Sequence, residues 1–220
     1  MYRSEAGYFH GNLRVWENDD GFRQFCLHGP HRTVAGDLLG DRALTLFYDQ
    51  LFVKEPTTPQ PTRWHNDQPY RPVRGWPVMS IWIPLDPVIR ESGGLEFVAG
   101  SHLWGRWFQP EPFAEGTSAY EAGEGYEPMP DIDSRRDRYR IVGWDMDPGD
   151  VLAFHALTIH GAGGNLTEGT RRHGYAVRHC GEECRYFAGP GPSAGLRNPE
   201  LFDSDPLEIT QYPIVWQVGV

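Results

Sequence analysis

The sequence predicts a mainly β fold, a jelly roll or double-stranded β-helix with a few flanking helices, and three features carry that expectation. Apolar stretches of strand length recur along the chain. Glycine and proline, 26 and 19 of 220 residues, punctuate them. Aromatic residues make up 13% of the chain, enough to line a pocket as well as a core. Short strands separated by Gly/Pro turns favour two packed sheets over a helical bundle. The length suits one domain, 1–220, with a core from about 44 to 186.

The elements follow in order. Residues 1–18 mix aromatic and polar groups without a clear period, as expected of a lead-in strand or arm. Asp19-Asp20 offers an N-cap for a segment carrying Phe22, Phe25 and Cys26, and Gly29-Pro30 divides it from a second carrying Val34, Leu38 and Leu39. Proline cannot continue a helix, so two short helices are expected. From Ala43, the alternation of Leu44, Leu46 and Tyr48 and then Leu51-Phe52-Val53 predicts strands. A proline-rich loop, 54–61, delivers the chain to Trp64-His65-Asn66-Asp67. Val78 to Leu85 is apolar enough for a strand buried on both faces. Glu91-Ser92-Gly93-Gly94 is a turn into Leu95-Glu96-Phe97-Val98, and Val151 to Phe154 is a further strand. Residues 171–179 alternate as a strand between pocket and solvent. The stretch from Phe187 to Val220 is expected on the outside of the core.

Residues 103–140 stand apart, with Trp104, Trp107, Phe108, Phe113 and Tyr120 among many charged and glycine residues. A segment this long without regular structure is most often a lid or binding loop.

Bulk properties exclude several classes. A formal charge of −10 and a pI near 5.3 leave no basic face to neutralise phosphates, which argues against nucleic acid. No apolar run approaches the ~20 residues that span a bilayer, and Met1 to Glu5 lacks the apolar stretch of a signal peptide. Cys26, Cys180 and Cys184 are too few for a disulfide framework, and the Cys180–Cys184 spacing does not suit zinc, so reduced thiols and a cytoplasmic setting are expected.

The chemistry concentrates in His65-Asn66-Asp67. On a strand, residues two apart project to one side, so His65 and Asp67 can face one ion, with His160 arriving from a late strand. Two histidines and a carboxylate with open positions opposite form the ligand set of non-haem Fe(II) oxygenases. Eleven residues beyond His160 stands Arg171, a fixed cation able to grip a carboxylate bidentately.

With these elements in order, the chain resembles the phytanoyl-CoA dioxygenase family of Fe(II)/2-oxoglutarate oxygenases. The resemblance runs from Leu44 to Tyr186. It rests on Trp64-His65-Asn66-Asp67, on Ile83-Pro84-Leu85-Asp86 with Glu91-Ser92-Gly93-Gly94-Leu95, and on Val98-Ala99-Gly100-Ser101-His102. Pro148-Gly149-Asp150-Val151 and His160-Gly161-Ala162-Gly163-Gly164-Asn165 with Arg171 complete it. It implies Fe(II) on His65, Asp67 and His160, and 2-oxoglutarate with its far carboxylate on Arg171. Trp82 and Asn66 become secondary co-substrate contacts, O2 the oxidant and a small organic molecule the substrate. Asn66 replaces the family's usual glutamine, and Ala162 a small hydroxyl residue. The carboxylate of Asp67 implies hydroxylation, because halogenating relatives carry Ala or Gly there. A cupin-like iron enzyme using no 2-oxoglutarate, and a non-catalytic jelly-roll module, share the triad; the role of Arg171 and turnover separate them. Lys54 is open between a co-substrate contact and a solvated lysine, and Trp104, Arg106 and Trp107 between substrate clamps and loop packing.

Overall fold

The computed structural model describes residues 2–4, 7–112 and 120–219. Phe113, named above with the aromatic loop, and Met1 and Glu5 of the N-terminus lie outside them. Thirteen strands and two α-helices make up the regular structure. β1 (Tyr2–Ser4) and β2 (Gly7–Leu13) precede α1 (Asp20–His28) and α2 (His31–Leu39). Then come β3 (Ala43–Lys54), β4 (Thr62–His65), β5 (Val73–Arg74), β6 (Val78–Pro84) and β7 (Leu95–Val98). β8 (Ile141–Gly143), β9 (Leu152–His155), β10 (His160–Ala162), β11 (Arg172–Gly181), β12 (Arg185–Tyr186) and β13 (Ile214–Gln217) complete the set.

Two antiparallel sheets dominate. The larger has the order β1-β2-β3-β11-β6-β9, with β13 also paired to β3; the smaller runs β4-β10-β7-β8. A cavity between them is lined from both, which is the jelly roll expected. β11 sits at the centre of the larger sheet, with Arg172 opposite Lys54, Arg178 opposite Tyr48, and Ala176 between Gln50 and Trp82. Strand alternation puts Tyr48, Gln50, Phe52, Trp82, Arg172, Ala176 and Arg178 on the cavity.

The other face of this sheet is roofed by the helices. Asp19 caps α1, its carboxylate accepting from the Phe22 N–H at 3.0 Å, and the Gly29-Pro30 break starts α2 as expected. Phe22, Phe25 and Cys26 pack on Leu46, Tyr175 and Val177, and Ala35 and Leu39 on Leu44, Met79 and Ile81. Burial of these side chains, each contributing about 1.5–3 kcal/mol when complete, fixes the helices to the sheet. It also corrects one expectation: β11 is buried almost throughout, with cavity on one face and helices rather than solvent on the other.

Other differences have similar causes. Ala43 to Lys54 is one strand of 12 residues, because β11 and β2 pair along it and bridge the polar Asp49-Gln50 step. Residues beyond 187 do not simply coat the exterior: Leu196, Leu207 and Tyr212 are core, and Ser193 and Leu196 reach the cavity. The N-terminal arm likewise lines it through Phe9, Gly11 and Leu13. In the 103–140 stretch Phe108 and Ile132 are buried with Val98 and Ile159, and Phe108 bridges Glu127, so the described part of the loop is anchored. Gly93 adopts φ +85°, and a Cβ there would stand 2.8 Å from the Gly163 carbonyl, so this turn tolerates little else.

Candidate metal centre and anion pocket

His65 closes β4 and faces His160 of β10 as its register partner, which brings the ring centroids to 4.2 Å. Asp67 is not on the strand. Its backbone (φ −71°, ψ −37°) opens a 3-10 turn, Gln68–Tyr70, so the carboxylate arrives by the chain turning rather than by the pleat inferred from the two-residue spacing. Ligand atoms of His65, Asp67 and His160 lie within 4.8 Å of one another, and these are the only three such residues so clustered among the described residues.

The hydrogen bonds around the cluster fix the imidazole tautomers and the set of the carboxylate. Nδ1 of His65 lies 2.8 Å from the carbonyl of Arg63, and Nδ1 of His160 lies 3.0 Å from that of Thr158. A carbonyl only accepts, so each Nδ1 carries the proton and each Nε2 keeps its lone pair. The Asp67 carboxylate is divided: Oδ2 accepts from Arg71 and from the Ser80 hydroxyl at 2.9 Å, while Oδ1 stands 3.6 Å from His65 Nε2. Nδ1–H bonds to protein acceptors and a carboxylate fixed by a second cation are the outer contacts that orient metal ligands. The residues present fit a divalent ion such as Fe(II).

The electrostatics agree. Burial penalises a charged Asp67, yet the Arg71 guanidinium beside it, with help from His65, holds its carboxyl well below the usual range. Burial, and then the neighbouring His65, push His160 down to about 3, so its imidazole is neutral and able to ligate at ordinary pH. Phe97 and Phe154 pack against the His160 ring and keep it dry.

The cavity has a volume of about 200 Å³ and reaches both His65 and Arg172. Arg172 is buried, lies over the Trp82 ring at 5.8 Å, and has no ion-pair partner among the described residues; its Nε is buried without a hydrogen bond. Burial lowers it to about 10, which leaves it charged at neutral pH. Opposite on β3 is Lys54, fully buried, its Nζ donating to the Gly163 carbonyl at 2.5 Å. Burial and then Arg172 hold its pKa well below the ordinary lysine value. Buried cations without an acid are costly unless an anion joins them.

Of the co-substrate residues expected from sequence, only Trp82 lines this cavity. Arg171 lies outside it, half exposed and paired with Glu55 at 2.7 Å. β11 begins at Arg172, and the alternation Arg172, Ala176, Arg178 turns that residue inwards and its neighbour outwards. Asn66 is buried but directed away, its amide donating to the Arg106 carbonyl at 3.2 Å and so tying down the aromatic loop. Lys54 is neither solvated nor on the cavity surface. Trp107 stacks on Tyr126, and Arg106 pairs with Glu127, which answers for loop packing. Arg71, Ser80 and Arg178 were not singled out by sequence. The first two act on Asp67 from different elements, which no local pattern exposes; Arg178 could have been found from its period-2 spacing with Arg172.

A two-sheet jelly roll with a His-Asp-His cluster at the cavity defines the class. A model of the family Phytanoyl-CoA dioxygenase (PhyH) matches residues 3–173, and the chain belongs to that family. It is 26% identical over 207 residues to a probable phytanoyl-CoA dioxygenase of Caenorhabditis elegans, covering 91% of this chain and 64% of that protein. The chain thus spans under two thirds of the length of this relative. Among solved structures it resembles the non-heme alpha ketoglutarate dependent carbocyclase SnoK (TM-score 0.76, 24% identity, 98% of this chain and 79% of that one). It also resembles the epimerase SnoN in complex with Fe3+, alpha ketoglutarate and nogalamycin RO (TM-score 0.72, 25% identity, 94% and 78%).

Proposed function

We propose that the protein is an Fe(II)- and 2-oxoglutarate-dependent dioxygenase that hydroxylates a small organic substrate and releases succinate and CO2. The observation that carries this is one cavity joining an open-faced His65–Asp67–His160 donor set to Arg172, a buried cation with no anion of its own. Family membership and the iron and alpha ketoglutarate bound by SnoN point the same way. Iron held by the two Nε2 atoms and Asp67 Oδ1 would supply oxygen activation coupled to decarboxylation of 2-oxoglutarate.

The chain's own residues do the rest. The carbonyls of Arg63 and Thr158 fix the imidazole tautomers, and Arg71 with Ser80 keeps Asp67 ionised and in place. Arg172, not Arg171, receives the far carboxylate of 2-oxoglutarate, and Trp82 forms the wall beside it. Asp67 fills the place a halide would need, which argues against halogen transfer and favours hydroxylation. One domain over 1–220 and a cytoplasmic setting complete the proposal, the latter supported by three free buried cysteines. Among the described residues no helix is long and apolar enough to cross a membrane.

The test is succinate formation by the purified protein, with slow decarboxylation of 2-oxoglutarate expected even without substrate. Succinate should require both Fe(II) and 2-oxoglutarate and vanish in His65→Ala and Asp67→Ala. Undiminished succinate in either variant would overturn the proposal.

A further inference from the structure

The cavity holds a second cation that makes no hydrogen bond or ion pair to the His65–Asp67–His160 cluster and lies away from Arg172. Arg178 shares the cavity face of β11 with Arg172, six residues along the strand, or about 20 Å between Cα atoms at about 3.3 Å per residue. It is 4% exposed. Its guanidinium lies over the rings of Tyr48 (4.6 Å) and Phe52 (5.6 Å). Nη1 donates to the Ala176 carbonyl at 3.2 Å, and the buried Nε has no partner. No ion pair to it exists among the described residues. Arg71, equally buried, is the contrast: it donates to Asp67 and Ser80. The cavity lining also includes the apolar and aromatic residues Tyr48, Leu13, Leu196, Tyr70 and Tyr120.

A desolvated guanidinium fork with free donors matches a planar carboxylate. One fork on an aromatic floor offers too few donors for a phosphate dianion, which takes several. We propose that Arg178 anchors a carboxylate of the molecule being oxidised, and therefore that the substrate is an organic acid with an apolar body. The acid group would sit on Arg178 over Tyr48, and the body would extend along the cavity past His65 and His160. This rests on the function proposed above. The C1 carboxylate of 2-oxoglutarate has the same chemistry, so the experiment must tell the two sources apart.

The probes are matched acids and amides, such as cyclohexanecarboxylate with cyclohexanecarboxamide and 1-naphthoate with 1-naphthamide. Their proton relaxation is followed on protein loaded with Mn(II) and 2-oxoglutarate. Acids should bind at least tenfold more tightly than their amides. In Arg178→Met that preference should fall below threefold while 2-oxoglutarate affinity, by calorimetry, changes less than threefold. Arg178→Lys should keep part of the preference, and it replaces the Met variant if that one does not fold. Equal binding of acid and amide to the wild type would overturn the proposal. So would loss of 2-oxoglutarate affinity in the Arg178 variants, which would assign the cation to the co-substrate. If the wild type binds acids over amides with Mn(II) alone but takes up no 2-oxoglutarate, the proposed function fails while the acid site stands.

Discussion

The two faces of the larger sheet bury charge in opposite ways. On the cavity face Arg172 and Arg178 are desolvated cations without acid partners. On the helix face the buried carboxylate Asp49 has no cation in contact; its Oδ2 accepts from the Tyr175 hydroxyl at 2.6 Å and the Trp16 N–H at 3.0 Å. Burial raises the Asp49 pKa, whereas Asp67, also buried, is held low by Arg71. The difference lies in what the surroundings offer: Asp49 Oδ2 is hydrogen-bonded within the protein although Oδ1 has no partner, whereas Arg172 and Arg178 face an open cavity. An unpartnered buried charge is a stability cost, and Arg172 and Arg178 carry that cost on the wall that a ligand can reach.

The largest effect that would break this contrast concerns adjacent arginines. Arg172→Ala should weaken 2-oxoglutarate binding to the Mn(II) protein by about two orders of magnitude or more, the usual result of truncating a buried charged anchor. Arg171→Ala should leave it within twofold, since its partner is Glu55 at the surface. Calorimetry on both decides; the reverse pattern would put Arg171 inside.

Next is the support of Asp67. Arg71→Met should lower Mn(II) affinity by about 10- to 100-fold, the range for lost outer contacts of a metal ligand. Titration of the Mn(II) spin signal measures this, and unchanged affinity would make Arg71 a packing residue only.

A pH effect of intermediate size belongs to the helix face. His179 is buried beside His31 with neither ring nitrogen hydrogen-bonded, and burial, then His31, lower it to about 3. Below pH 6.5 the unfolded chain binds a proton there that the folded one refuses. Its contribution is therefore intact above pH 6.5 and is lost as pH falls towards 3, at up to about 1.4 kcal/mol per pH unit. His179→Leu should flatten the fall in urea midpoint between pH 7 and 4, leaving the share due to His31, His155 and His160, which are lowered as well. Parallel curves would count against it.

Asp49→Asn should do least. The amide oxygen can still accept from Tyr175 and Trp16, and no cation loses a partner. Tm at pH 7 should move by about 4 °C or less, equivalent to about 1 kcal/mol in a chain of this size, with succinate formation unchanged.

These contrasts also mark how far sequence alone reaches. The helix break at Gly29-Pro30 and the strands on either side of His65 follow from short-range signals, and the structure brings His160 beside His65 as its register partner. The structure brings Asp67 to the two histidines for another reason than the spacing suggests: a 3-10 turn rather than a pleat delivers it. Arg171 was favoured by counting from His160, and counting cannot see where β11 begins. Arg71 and Ser80 meet Asp67 only through the folding of a turn against β6. Register and turn geometry are tertiary facts, decided by which strands pair.

One position with no side chain sets a limit on what the cavity admits. Gly174 lies between Arg172 and Ala176, and a Cβ on it would stand 2.3 Å from the Trp82 indole. The ring therefore occupies the volume that any other residue would claim. Enlarging position 174 by a single methyl group must swing the indole aside, redrawing the space beside Arg172 without touching a ligand atom. The room left for the far end of 2-oxoglutarate is thus set by a residue that need never contact it, which makes Gly174 the natural first position to vary when the fit of the co-substrate is to be altered with the metal cluster untouched.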